Sequence, residues 1–177
     1  MMIGSRRGLM GRWLVVTIAA LLLVSCPAET EEDPNERITA IYLTVLNDVV
    51  TDSPVEPEDP EGVATLFIEA FDPEGLPLEV QVEIVADFVD RYDVRFIDDR
   101  VEATDIETPG TPVRPFSVFV GVGPIAGDDT ADVRVERYFT DNDIDAYRYT
   151  LTEASEASWS IVGTPEAIEP EGFAVSS

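Results

Sequence analysis

The sequence predicts an α+β fold: a single domain in which a four-stranded antiparallel meander, joined by one or two further strands, is covered by two helices. Three observations predict it. Apolar residues between 37 and 50 recur at helical spacing, and after residue 113 the apolar period falls to two. The stretch from Asn35 to Ile168 holds about 130 residues and contains no internal repeat, enough for one domain that buries roughly two thirds of its unfolded surface.

The amino end comes first and is not part of that domain. Residues 1–12 carry Arg6, Arg7 and Arg12 without an acid, residues 13–24 are almost wholly apolar, and Ser25 and Cys26 follow. A positive start, a short apolar run and a small residue before the cut are the parts of an export signal. The run is about 12 residues long, whereas a helix needs roughly 20 to span the hydrocarbon, so it reads as a signal and not a permanent span. Leu23-Val24-Ser25-Cys26 resembles the lipobox of prokaryotic lipoproteins. The resemblance implies a diacylglyceryl thioether on Cys26, cleavage after Ser25, and a lipid-anchored protein of the cell envelope facing the periplasm or the exterior. Acyl chains anchor by about 0.8 kcal/mol per buried methylene. The alternative is an ordinary signal peptide with a chance cysteine, but Cys26 is the chain's single Cys, and an exported lone thiol would be exposed to oxidation. Ser5-Arg6-Arg7-Gly8-Leu9-Met10 is also similar to a twin-arginine export motif, which implies crossing the membrane already folded; a general secretory start with adjacent arginines is the other reading. Residues 26–36, polar and rich in acid with Pro27 and Pro34, have the composition of a solvated tether.

The domain is expected over residues 37–168. Ile38, Ile41, Tyr42, Val45, Leu46 and Val49 form a helical stripe, and Asp33-Pro34-Asn35-Glu36 ahead of it supplies an N-cap, a Pro at the first turn and an acid at N3. Residues 51–61 contain three prolines and form a loop. The apolar run 63–71 reads as a buried strand ended by the turn Asp72-Pro73-Glu74-Gly75. Residues 78–92 fit both periods, and their length favours a helix; 94–97 is a brief strand. Residues 98–112 are a turn-rich loop. Strands are then expected at 113–122, 132–139, 146–152 and 158–162, joined by Gly127-Asp128-Asp129, Asp141-Asn142-Asp143 and a bend at 153–157. After Pro165 the chain reads as loose, with a flexible tail at 169–177.

Charge narrows the possible chemistry. The chain has 36 acids against 11 basic residues, all of them Arg, and no His, giving a formal charge of −25. Residues 1–25 contain three Arg and no acid, so the mature chain carries 36 acids against 8 Arg, a charge of −28. Self-repulsion on that scale destabilises a compact state in dilute buffer and is screened at about 1 M salt, where the Debye length is near 3 Å. Surplus acid with absent Lys therefore favours a salt-loving prokaryote; a GC-rich genome would also exchange Lys for Arg, though without the acid excess. The same charge repels phosphate backbones, so no nucleic-acid partner is expected. Without His or Lys, a Ser-His-Asp triad, imidazole base catalysis, a His-ligated zinc and Schiff-base chemistry are all excluded.

Read together, Val94-Arg95-Phe96-Ile97-Asp98, Val122-Gly123-Pro124-Ile125, Tyr149-x-Leu151 and Trp159-x-Ile161-x-Gly163 resemble a widespread set of uncharacterised exported bacterial proteins, over about residues 37–163. The closing Tyr and Trp hairpin is also similar to NTF2-like (cystatin-like α+β) lipoproteins, and this second resemblance implies a cone-shaped cavity for a small molecule. Two helices are predicted here in place of that group's three-helix amino-terminal half.

Few residues suggest chemistry by themselves. Asp141, Asp143 and Asp145 stand at positions 1, 3 and 5 of a calcium loop, but Ala146 replaces the Gly of position 6 and Thr152 the Glu of position 12. A solvated hairpin turn is the alternative, and calcium is the one cofactor in view. A pair of carboxylates could serve a glycosidase, yet nothing singles out a pair among 36 acids. Asp98-Asp99-Arg100 and Gly127-Asp128-Asp129 read as turns. Trp159 and Tyr149 read first as core and second as a pocket lining. Arg134, Arg137 and Arg148 read as cross-strand ion-pair members, with an anion site as the alternative. The functional expectation is a membrane-anchored extracytoplasmic lipoprotein without catalysis, binding or structural in role. A small-molecule-binding module and a calcium- or magnesium-dependent hydrolase are the alternatives.

Overall fold

The computed structural model describes residues 34–51, 55, 57, 62–155 and 158–170. The signal segment, Cys26, the tether up to Asp33 and residues 171–177 lie outside the described residues.

Helix α1 (Pro34–Thr51) begins on its proline and buries Ile41, Tyr42, Val45, Leu46, Val49 and Val50, the stripe its spacing predicts. The turn after β1 (Ala64–Ala70) closes on Gly75 at φ 70, with the Gly75 amide donating to the Asp72 carbonyl at 2.8 Å. Helix α2 (Leu78–Phe88) follows and buries Val80, Ile84 and Phe88. It is shorter than the sequence suggests because Tyr92 already belongs to β2 (Tyr92–Ile97). A short 3-10 turn at Arg100–Glu102 is capped by the Asp99 carboxylate, which accepts from the Val101 amide at 2.9 Å.

The meander is present. Strands β3 (Ser117–Val122), β4 (Thr130–Thr140), β5 (Asp143–Ser155) and β6 (Ser158–Ile161) pair antiparallel in chain order. Strand β3 starts at residue 117 and not at 113, because Pro115 lacks an amide to donate and Phe116 turns to φ 59. Strands β1 and β2 extend the meander from its β3 edge and run parallel to β3, giving the order β2-β1-β3-β4-β5-β6. The sheet is therefore mixed. The chain does not loosen after Pro165: β7 (Glu166–Ala167) pairs with β5, the Ile168 amide reaches the Ala146 carbonyl at 2.9 Å, and Arg134 donates to the Glu169 carbonyl at 2.7 Å.

Both faces of the sheet are covered. On one, α1 and α2 pack on Leu66, Ile68, Val118, Val120, Val133 and Val135 in the main core. Tyr42 donates to the Gly123 carbonyl at 2.9 Å and Arg37 to the Gly127 carbonyl at 2.7 Å, which fixes α1 over the β3–β4 connection. On the other face, Phe67, Phe119, Tyr138 and Ile144 form one row across four strands, because cross-strand partners share a face. Ala103 and Val113 of the β2–β3 connection pack on this row in a second core. That connection thus crosses the sheet on the face opposite the helices.

Candidate functional site

Where α1 ends over the meander, the helix-covered face opens into a cavity of about 360 Å³. Asp48 and Val49 come from the last turns of α1, Arg137 from β4, and Asp145, Tyr147 and Tyr149 from β5; Thr164 and Pro165 close one side. The strand period sets the lining: Asp145, Tyr147 and Tyr149 alternate onto one face, and Arg137 stands directly opposite Asp145. The Tyr149 hydroxyl donates to the Asp48 carboxylate at 3.0 Å. The Tyr147 and Tyr149 rings meet edge to face, 6.5 Å apart. Arg137 is 9% exposed and its guanidinium lies 4.7 Å from the Phe139 ring centroid. The lining thus offers two carboxylates to one guanidinium beside two phenol rings. These groups can orient a small polar molecule and hold its apolar side.

A second polar group lies on the opposite face. Glu69, Gly121 and Glu136 are neighbours across β1, β3 and β4. The Phe71 ring lies over Gly121: a Cβ there would stand 2.2 Å from the ring tip, so a side chain at this position would push the ring aside. Glu136 is fully buried and accepts from Nε of Arg134 at 2.8 Å. Oε2 of Glu69 is buried and finds no donor among the described residues. Burial pushes the Glu69 carboxyl up to about 7; Arg100 opposes the shift, while Asp99, Glu136 and Asp98 add to it.

The sign of the resulting pH effect follows from linkage. Between the ordinary value of 4.5 and about 7 the folded chain holds more protons than the unfolded chain, so stability falls as pH rises through that window. Glu69→Gln is expected to raise the melting temperature at pH 8 and leave it unraised at pH 4, measured by thermal unfolding at fixed ionic strength. An equal gain at both pH values would contradict this origin.

Of the residues singled out by sequence, Arg137, Asp145 and Tyr149 come together in the cavity wall, and the others lie elsewhere. Asp141 closes the β4–β5 turn and accepts from the Tyr138 hydroxyl at 2.7 Å. Hydrogen bonds from Thr111 and Tyr138 hold its carboxyl below the usual range. Asp143 pairs with Thr140 and Asp145 with Arg137. No group of three or more potential metal ligands converges among the described residues. Trp159 is core, with the Arg37 guanidinium 5.0 Å from its ring centroid; Tyr149 is core and pocket lining together. Of the arginines, Arg148 pairs across strands with Glu166 at 2.9 Å, whereas Arg134 pairs along its own strand with Glu136. The pocket also uses Asp48, which sequence reasoning passed over. Its signal was position: three residues after Val45, it borders the buried stripe of α1.

Compared with known proteins, the chain matches no protein family, no curated protein and no solved structure. Among the described residues no helix is long and apolar enough to cross a membrane.

Proposed function

We propose that this chain is a lipid-anchored extracytoplasmic binding domain without catalytic chemistry, tethered through Cys26, with the cavity between α1 and the meander as its ligand site. The observation that carries the binding role is that cavity of about 360 Å³, in the range of small-molecule sites, with buried Arg137 and two tyrosines in its wall. The anchor rests on Leu23-Val24-Ser25-Cys26. The lack of His and Lys agrees with a non-catalytic role. Two carboxylates against one guanidinium, in a chain of charge −25, favour a neutral or cationic organic ligand over an anion. Aromatic faces beside carboxylates suit an ammonium group in particular.

Ligand-observed NMR with choline and acetate as probes tests the pocket. Choline is expected to receive saturation from the protein, Tyr147→Ala to abolish the transfer, and acetate to show none. Equal transfer to both probes, or choline transfer that survives Tyr147→Ala, would remove the pocket from the proposal. The anchor is tested separately: Cys26→Ser should move the protein from the membrane fraction to the soluble one, and unchanged fractionation would refute it.

A further inference from the structure

Helix α2 carries a second apolar stripe that the fold does not use. Leu78, Val82, Val85 and Val89 are 69%, 55%, 38% and 57% exposed, while Val80, Ile84 and Phe88 of the same segment face the core. Four large aliphatic side chains in solvent along one short segment are uncommon on a folded domain and mark an interaction surface. Their spacing of four, three and four residues is that of a heptad seam, so the complementary surface is another α-helix crossing at a shallow angle. The upper part of the stripe lines a groove of about 630 Å³ between α1 and α2, floored by Ala40, Leu43, Leu78 and Val82. The small Ala40 side chain leaves room for a large residue to enter. Among the described residues, the charged groups lining the groove are Glu36, Glu79 and Glu83, with no arginine.

We propose that the α1–α2 groove docks an amphipathic α-helix of a partner protein, one whose apolar seam is flanked by Arg or Lys. Charge complementarity selects this occupant. In a pairing of two copies of this chain, Glu79 and Glu83 of each would be brought against the same acids of the other, inside two domains already strongly negative. An anionic lipid surface is repelled for the same reason. A basic-flanked helix places its charges against Glu36, Glu79 and Glu83 and buries the four aliphatic residues. Helix α2 spans 11 residues, about 16 Å, so an anchor series over some three turns of the partner matches it.

The test uses the full chain and two labelled synthetic 16-residue helical peptides with the same Leu seam, one with Lys flanks and one with Glu flanks. Fluorescence anisotropy should show binding of the Lys-flanked peptide, weakening with added salt, and none of the Glu-flanked one. Val82→Lys should weaken binding at least about tenfold, because it removes a buried aliphatic contact and adds a like charge. Since Val82 is exposed, the variant's unchanged circular dichroism and melting temperature will show that folding is not the cause. Equal binding of both peptides, or binding indifferent to Val82→Lys, overturns the proposal. So does sedimentation showing a dimer that Val82→Lys dissociates, which assigns the face to a second copy. Binding of the Cys26→Ser protein to phosphatidylcholine vesicles, abolished by Val82→Lys, assigns it instead to lipid and likewise overturns the proposal.

Discussion

Arg134→Ala is expected to destabilise the domain by about 3–5 kcal/mol, read from the midpoint of urea unfolding at neutral pH. The cause is the Glu136 carboxylate, fully buried on β4, which accepts from Nε and Nη2 of Arg134. Removing the guanidinium leaves an anion in a low-dielectric site beside Glu69, whose carboxyl already carries the penalty of that environment. Arg134 also donates to the Glu169 carbonyl, so the variant frees the carboxyl-terminal segment from β4. The double variant Arg134→Met with Glu136→Leu separates the two contributions. Replacing a buried pair by apolar residues of similar volume is often neutral, so most of the lost stability should return. If the double variant is as unstable as Arg134→Ala, the loss comes from the Glu169 contact and packing rather than from the hydrogen bonds taken from the Glu136 carboxylate.

Tyr138→Ala should cost a similar amount, about 3–5 kcal/mol. Tyr138 is 1% exposed, packs 5.5 Å from the Phe119 ring, and its hydroxyl lies 2.6 Å from the Thr111 carbonyl and 2.7 Å from the Asp141 carboxylate. It therefore joins the sheet to the β2–β3 connection both by contact and by hydrogen bond. Amide exchange should accelerate in residues 103–114 more than in α1 or β3, because Ala103 and Val113 rest on that row. Tyr138→Phe keeps the ring and loses the hydroxyl, and should cost only about 1 kcal/mol. Uniform acceleration across the whole domain in Tyr138→Ala would show that the second core has no independent hold on the crossing segment.

The helices and the longer strands were legible in the sequence, β7 was not, and the arrangement was legible in part. The stripe at 41, 42, 45, 46 and 49 gave α1, and the change of period gave the four meander strands, since a half-buried hairpin leaves its alternation in the residues. The apolar run 63–71 read as a buried strand but carried no mark of its partners, so the parallel pairing with β2 and β3 came only from the structure. Glu136 was hidden for a related reason. It alternates with Val133 and Val135 as a solvent-facing residue would, and only the covering of that face by distant chain turns it into a buried group. Glu69 left a clearer trace, a single acid inside an otherwise apolar strand. The pocket depends on the crossing of α1 over β4 and β5, a tertiary relation that one strand's spacing does not encode.

The position of β1 within the sheet has a consequence for how the polypeptide becomes a protein at all. This strand leaves the ribosome before its neighbours, yet one side waits for residues 92–97 and the other for residues 117–122. The hairpins downstream close over short separations, whereas the strand made first is completed only when most of the chain exists. In such a domain the middle of the sheet closes only once residues 117–122 have been made. Until then the side of β1 that meets β3 is an open edge.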